Sequence, residues 1–119
     1  MTAAAILDFD AHPAALTDLG SLPVALQDAA VHHLRRLVTC QQRGPALGRR
    51  GLWDLTGCRK VYLDADRCWR LVYQERPPAP TSRSGGGIYL VAAGPRSGHQ
   101  VYNAAARRLQ LLGATRPAA

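Results

Sequence analysis

Lys60 is the only lysine among the 15 Lys and Arg residues of the sequence. It lies in Asp54 to Tyr73, DLTGCRKVYLDADRCWRLVY, which reads as a hairpin. Cys58 to Leu63 forms one strand, Asp64 to Arg67 the turn, and Cys68 to Tyr73 the return strand. Side chains alternate faces along a strand. Cys58, Lys60 and Tyr62 therefore share one face, and Arg59, Val61 and Leu63 the other. On the return strand Trp69, Leu71 and Tyr73 lie opposite Arg70 and Val72. A hairpin that presents lysine, tyrosine and arginine together reads as a working surface rather than as packing. The three cysteines, Cys40, Cys58 and Cys68, have no CxxC spacing and are odd in number. They read as reduced thiols, with no disulfide framework and no zinc site. No metal and no cofactor are expected.

The charge points the same way. Fifteen basic against eight acidic residues give a net charge of +7, and the pI is about 10.2. Residues 1–34 carry Asp8, Asp10, Asp18 and Asp28 and no Lys or Arg, whereas from Arg76 onward there are six arginines and no acid. Arginine-rich coding would raise the total but not divide it this way, so a polyanionic or acidic partner is expected. A length of 119 residues with 47% apolar content suits one core, and residues 1–119 are expected to form a single domain. No apolar run approaches the roughly 18 residues that a membrane span requires. The start, MTAAAILDFDAHP, has no basic residue before its short apolar run. It does not read as a secretory signal, and a cytoplasmic location without membrane contact is expected.

The elements that must position the hairpin follow in order. Ala4 to Phe9 is expected as an edge or central strand. Asp10 can cap a first helix with Pro13 in its first turn, ended by Gly20. Ser21 can cap a second helix, in which Leu26, Ala30, Leu34 and Leu37 recur at helical spacing with Val31 and Val38 beside them. These two helices are expected as an antiparallel pair over a sheet. Arg43 to Gly51 reads as loop, and Leu52 to Leu55 as a short extended piece. Trp53 and Trp69 read as core. Arg76 to Gly87, rich in Pro, Ser and Gly, is expected as a mobile loop. Ile88 to Ala93 is a continuous apolar strand stopped by Gly94-Pro95. Val101 to Leu112 is a final helix ended by Gly113, with a frayed tail over 113–119. The order β-α-α-β-β-β-α predicts an α+β domain, its mainly antiparallel sheet packed against the helix pair.

Four pieces in this order carry a family resemblance: LDFD at 7–10, GCRKVYLD followed by WRLVY in the hairpin, GPR at 94–96, and VYNAAARRL at 101–109. Together they resemble the RelE/ParE superfamily of bacterial type II toxins, on the RelE side, and imply a RelE-like (microbial-RNase-like) fold. The resemblance implies a ribosome-dependent endoribonuclease that cuts mRNA in the ribosomal A site without a metal. It inhibits translation, arrests growth and is silenced by a cognate antitoxin. It would meet operator DNA only through that antitoxin.

Carried onto this sequence, the RelE-type site falls on Lys60, Arg70, Arg96 and Tyr102. Tyr62 stands where the family tends to place a second lysine. Tyr62, His99 and Arg59 are possible supplements to the site. Arg35, Arg36, Arg49, Arg50, Arg107 and Arg108 are candidates for contact with RNA or the ribosome. Cleavage requires a ribose 2′-hydroxyl to lose its proton and attack the adjacent phosphate, with charge building on the phosphoryl oxygens and the leaving 5′ oxygen. Arg70 and Arg96 would hold the phosphate through guanidinium forks. A cation at Arg96 is unfavourable as a cap for the start of the last helix, which strengthens that assignment. Crowded cations depress a neighbouring pKa, so Lys60 would act as general base or stabilise the attacking oxygen. Tyr102 would stack on a base or give a proton to the leaving group, and Tyr62 can take either part. Two other activities fit the same resemblance: a ParE-like poison of DNA gyrase, and a catalytically weak toxin acting as corepressor with its antitoxin.

Overall fold

Two runs of the chain are apolar enough to form the middle of a sheet, Trp69–Arg76 (β5) and Gly87–Pro95 (β6). In the computed structural model, which describes residues 6–50, 53–78, 85–97 and 100–114, they lie antiparallel from Trp69 opposite Pro95 to Arg76 opposite Gly87. Cys58–Tyr62 (β4) pairs antiparallel with β5, and Asp8–Ala11 (β1) runs parallel to β6 at the other edge. The strand order is β1-β6-β5-β4. The register of β5 on β6 shifts between Val72 and Tyr73, which leaves Val91 unpaired as a bulge and turns both Val91 and Ala92 toward the same layer.

Helices cover both faces. Pro13–Ser21 (α1), Val24–Val38 (α2) and the connection between them, which holds Leu22, bury Ala15, Leu22, Ala30 and Leu37 against Val61, Leu63, Leu71, Tyr73, Ile88 and Leu90. On the opposite face, Gln100–Ala114 (α3) buries Val101, Tyr102, Ala105 and Ala106 against Cys58, Val72, Tyr89 and Val91. Each large aliphatic side chain so buried contributes about 1.5–3 kcal/mol. A small ribbon, Arg49–Arg50 (β2) paired with Trp53–Asp54 (β3), stands beside α3 and adds Leu47 and Leu55 to that layer. The architecture is the expected α+β arrangement, with two additions: α3 forms a second layer of its own, and the stretch expected as loop contributes β2.

Several boundaries differ from the expectation, each for a local reason. Asp10 does not cap α1. It stays in β1, where its Oδ1 accepts from the Ala11 amide at 2.8 Å. His12 takes the cap, its Nδ1 accepting from the Ala14 amide at 3.0 Å. Gly20 does not end α1, which runs on to Ser21. The carbonyls of Gly20 and Leu22 are met by Gln27 Nε2 at 3.1 and 2.8 Å, so a side chain of α2 supplies the termination expected of a glycine. Ser21 bonds back to Thr17, and α2 starts after Pro23 without a side-chain cap. Gly113 lies inside α3. β5 continues to Arg76, so the expected loop begins one residue later. The close approach of Gly86 to the Arg76 carbonyl, where a Cβ would sit 2.6 Å from the oxygen, closes the strand pair there. Most of that loop, 79–84, lies outside the described residues, as do 1–5 and 115–119.

One polar contact ties the two helical layers together. β1 pairs with β6 only as far as Leu90. Beyond that point the outer edge of β6 is satisfied by side chains: Asp18 Oδ2 of α1 accepts from the Ala93 amide at 3.1 Å, and Arg108 Nη1 of α3 donates to the Val91 carbonyl at 2.8 Å. Asp18 and Arg108 pair with each other at 2.6 and 3.2 Å. A bulged edge that would otherwise expose its backbone is closed by an ion pair.

Candidate active site

The hairpin fixes which side chains reach the α3 face. Val61 and Leu63 are locked into the core under α1 and α2, so a one-residue slip of β4 would bury charge on one side and expose leucine on the other. With that register Tyr62 stands opposite Arg70, and Lys60 opposite Val72. All four point toward the layer that α3 closes with Tyr102 in its first turn.

Arg70 is the buried charge of this layer, 6% exposed. Its Nη1 donates to the Tyr102 hydroxyl and its Nη2 to the Arg67 carbonyl at 3.4 Å. Its Nε has no hydrogen-bond partner, and no carboxylate pairs with it among the described residues. The guanidinium carbon lies 4.8 Å from the Tyr62 ring centroid and 5.3 Å from that of Tyr102. Such contacts offset about 0.5–2 kcal/mol each. Burying an uncompensated charge costs several kcal/mol. The site therefore holds a cation at an energetic disadvantage that an arriving anion would relieve.

Tyr62 sits at the centre of the charges. Lys60 Nζ lies 5.0 Å and the Arg67 guanidinium carbon 5.2 Å from its ring centroid, in addition to Arg70. The ring is half-buried and so remains open to solvent on one side. A hydrogen bond from Lys60 is the main cause that holds the phenol below its ordinary pKa. The charges of Lys60, Arg70 and Arg67 add to it, and partial burial opposes it.

Arg67 is a member of this cluster that the sequence did not reveal. It lies in the hairpin turn with φ of 60°, a left-handed conformation that costs a non-glycine residue about 1–2 kcal/mol. The turn is held by Asp64. Its carbonyl accepts from the Arg67 amide at 3.1 Å, and its carboxylate accepts from the amides of Cys68 and Trp69 at 3.2 and 2.9 Å. The acid is thereby kept on backbone groups. The only signal in the sequence was an arginine closing an Asp-rich turn.

The remaining expected residues separate into groups. Arg96 lies at the same end of the sheet as Arg70, its amide donating to the Cys68 carbonyl at 2.7 Å, with an exposed side chain. His99 lies outside the described residues. Arg59 is turned to the other face, where it pairs with Glu75 at 2.7 Å and donates to the Gly44 carbonyl at 2.7 Å. Glu75 also takes Arg43 at 2.9 Å. Arg35 and Arg36 are on α2, across the sheet from the cluster, and Arg36 bonds Gln42 at 3.2 Å. Arg49 is exposed on β2, and Arg107 is exposed on α3. Arg108 is committed to Asp18 and β6. The side chain of Arg50 is outside the described set. The structure thus brings Lys60, Tyr62, Arg70 and Tyr102 together, adds Arg67, and places Arg59 and Arg108 in structural ion pairs. Among the described residues no group of three or more His, Cys, Asp or Glu is placed to hold a metal, and no helix is long and apolar enough to cross a membrane.

No protein-family model matches the chain, and no curated protein matches its sequence. A solved structure does match in three dimensions: Escherichia coli toxin RelE in the free state, as a mutant with two arginines replaced by alanine. The two agree with a TM-score of 0.61 over 87% of this chain and 98% of that one, at 20% identity. The chain has a RelE-like fold.

Proposed function

We propose that the chain is the toxin of a bacterial type II toxin–antitoxin pair, a ribosome-dependent endoribonuclease that cleaves mRNA in the A site by 2′-hydroxyl attack. The observation that carries this reading is Arg70, buried beside Tyr62 and Tyr102 with no carboxylate pairing with it among the described residues. A guanidinium in that setting is matched to a phosphate. Arg70 and Arg96 hold the scissile phosphate, and each donor in a dry site is worth about 3 kcal/mol of transition-state stabilisation. Lys60 stabilises the oxygens on which charge builds. Tyr102 positions Arg70, its hydroxyl accepting from Nη1. The products are a 2′,3′-cyclic phosphate and a 5′-hydroxyl.

Arg49, Arg107 and Arg35 remain as exposed cations for RNA or ribosome contact. The cognate antitoxin is the expected partner. The exposed Phe9 and Val31, with Leu34 and Val38 and with Arg35 at the rim, give it an apolar seat. The protein works in the cytoplasm, where its ribosomal target is. Expression without antitoxin is expected to arrest growth with loss of mRNA integrity and no SOS induction, and Arg96→Ala to relieve the arrest. SOS induction with gyrase-trapped DNA breaks and intact mRNA would establish the gyrase reading instead.

A further inference from the structure

Phosphodiester cleavage requires a group that takes the proton from the 2′-hydroxyl, and guanidiniums cannot accept one. Three carboxylates are engaged elsewhere, Asp64 in the hairpin turn, Glu75 with Arg43 and Arg59, and Asp18 with Arg108, while Asp66 of the same turn is exposed and makes none of the ring contacts of the cluster. We propose that Tyr62 is the general base, its phenolate oxygen taking the proton of the attacking 2′-hydroxyl. This inference rests on the nuclease reading above.

The geometry supplies what a phenolate requires. Lys60 on the same strand, Arg67 in the turn and Arg70 on β5 surround the ring at 5.0, 5.2 and 4.8 Å. Tyr102 of α3 lies on the other side of Arg70, its hydroxyl oxygen accepting from that guanidinium. Three cations, with no carboxylate pairing with Arg70 among the described residues, favour the ionised form, and the hydrogen bond from Lys60 is the largest contributor. Tyr62 is only partly buried, as access for a ribose requires. In the step itself the proton of the 2′-hydroxyl moves to the Tyr62 oxygen, and the freed 2′ oxygen forms its bond to phosphorus. The bond from phosphorus to the 5′ oxygen breaks, and that oxygen takes a proton from the Lys60 ammonium. Transfer from the Tyr62 hydroxyl to the neutral amine of Lys60, whose Nζ lies 5.0 Å from the ring centroid, restores both groups.

The test is single-turnover cleavage of mRNA in programmed ribosomes, saturated with toxin, as a function of pH. The purified full chain is compared with Tyr62→Phe and with 3-fluorotyrosine at position 62, after thermal unfolding has shown that all three fold. Tyr62→Phe is expected to lower the rate about 10²- to 10⁴-fold, the range of a lost general base, and to abolish the rise of rate with pH. The more acidic fluorinated phenol is expected to restore cleavage and to move that rise to lower pH. A wild-type chain that cleaves, with Tyr62→Phe equally fast on the same pH profile, would overturn the assignment of the base and leave the nuclease reading standing. A wild-type chain that does not cleave would overturn the nuclease reading, and this inference with it.

Discussion

Replacing Arg70 by methionine separates stability from activity in a way that only an uncompensated buried charge would. The guanidinium is 6% exposed. In its favour are the bond to the Tyr102 hydroxyl, a long bond to the Arg67 carbonyl at 3.4 Å, and two ring contacts. A hydrogen bond involving a charged group contributes about 1.5–3 kcal/mol, the long one less, and the ring contacts about 1–4 kcal/mol together. Against them stands several kcal/mol of desolvation with no opposite charge to offset it. The sum is near zero or unfavourable, so Arg70→Met, which keeps the volume, is expected to raise stability by about 0–2 kcal/mol. At about 4 °C per kcal/mol for a chain of this size, Tm rises by up to about 8 °C. Cleavage should fall about 10²-fold or more, since the phosphate loses a preorganised donor. Differential scanning calorimetry and ribosome-coupled cleavage on the same preparations provide both readouts. A loss of 3 kcal/mol or more in Arg70→Met would refute the reasoning, because it would show a charge whose partners fully stabilise it.

Other perturbations test the scaffold. Arg108→Ala leaves Asp18 and the Val91 carbonyl without their partner. It should cost about 2–4 kcal/mol, and a double-mutant cycle with Asp18→Ala by urea denaturation should show coupling above about 1 kcal/mol. Gly44→Ala would set a Cβ 2.0 Å from the Lys60 carbonyl oxygen and 3.3 Å from the Tyr73 hydroxyl. A loss of about 2 kcal/mol in urea is expected, with reduced cleavage because β4 carries Lys60 and Tyr62. The Glu75 carboxyl is held below the ordinary carboxylate range, first by its hydrogen bond from Arg43 and then by the charges of Arg43 and Arg59. A depressed folded-state pKa adds stability that is present above the unfolded value of about 4.3 and is lost as pH falls through the folded one. Wild type should therefore lose more Tm than Glu75→Gln between about pH 5 and pH 3, by a modest amount, since the side chain is 38% exposed.

The hairpin was legible because its constraint is local. The alternation of Val61 and Leu63 with Lys60 and Tyr62 fixes the register, and the structure keeps it. The helix pair was legible from the spacing of Ala30 and Leu37. Helix ends were not, because the capping side chains are ones that residue type does not single out: His12 rather than Asp10 caps α1, and Gln27 meets the Gly20 and Leu22 carbonyls from the next helix, where the sequence offered a glycine. The role of Arg108 was hidden for a similar reason. Its partner Asp18 is 90 residues away, and only the bulge in β6 creates a need for both. At the site, Arg67 was missed because its position depends on a left-handed turn residue that the sequence does not favour. Tyr62 read as a departure from the RelE pattern, whereas the structure places it where three cations converge.

The central claim is a cationic site that cleaves mRNA on the ribosome. A reconstituted translation system with one defined mRNA, with the 5′ and 3′ ends of every fragment identified by mass spectrometry, tests it most directly. The account predicts cuts within the A-site codon that appear only when ribosomes are present, bearing 2′,3′-cyclic phosphate and 5′-hydroxyl ends, and that vanish with Arg70→Met. Full-length mRNA throughout, or cuts with the same ends at the same rate in free mRNA, would contradict it.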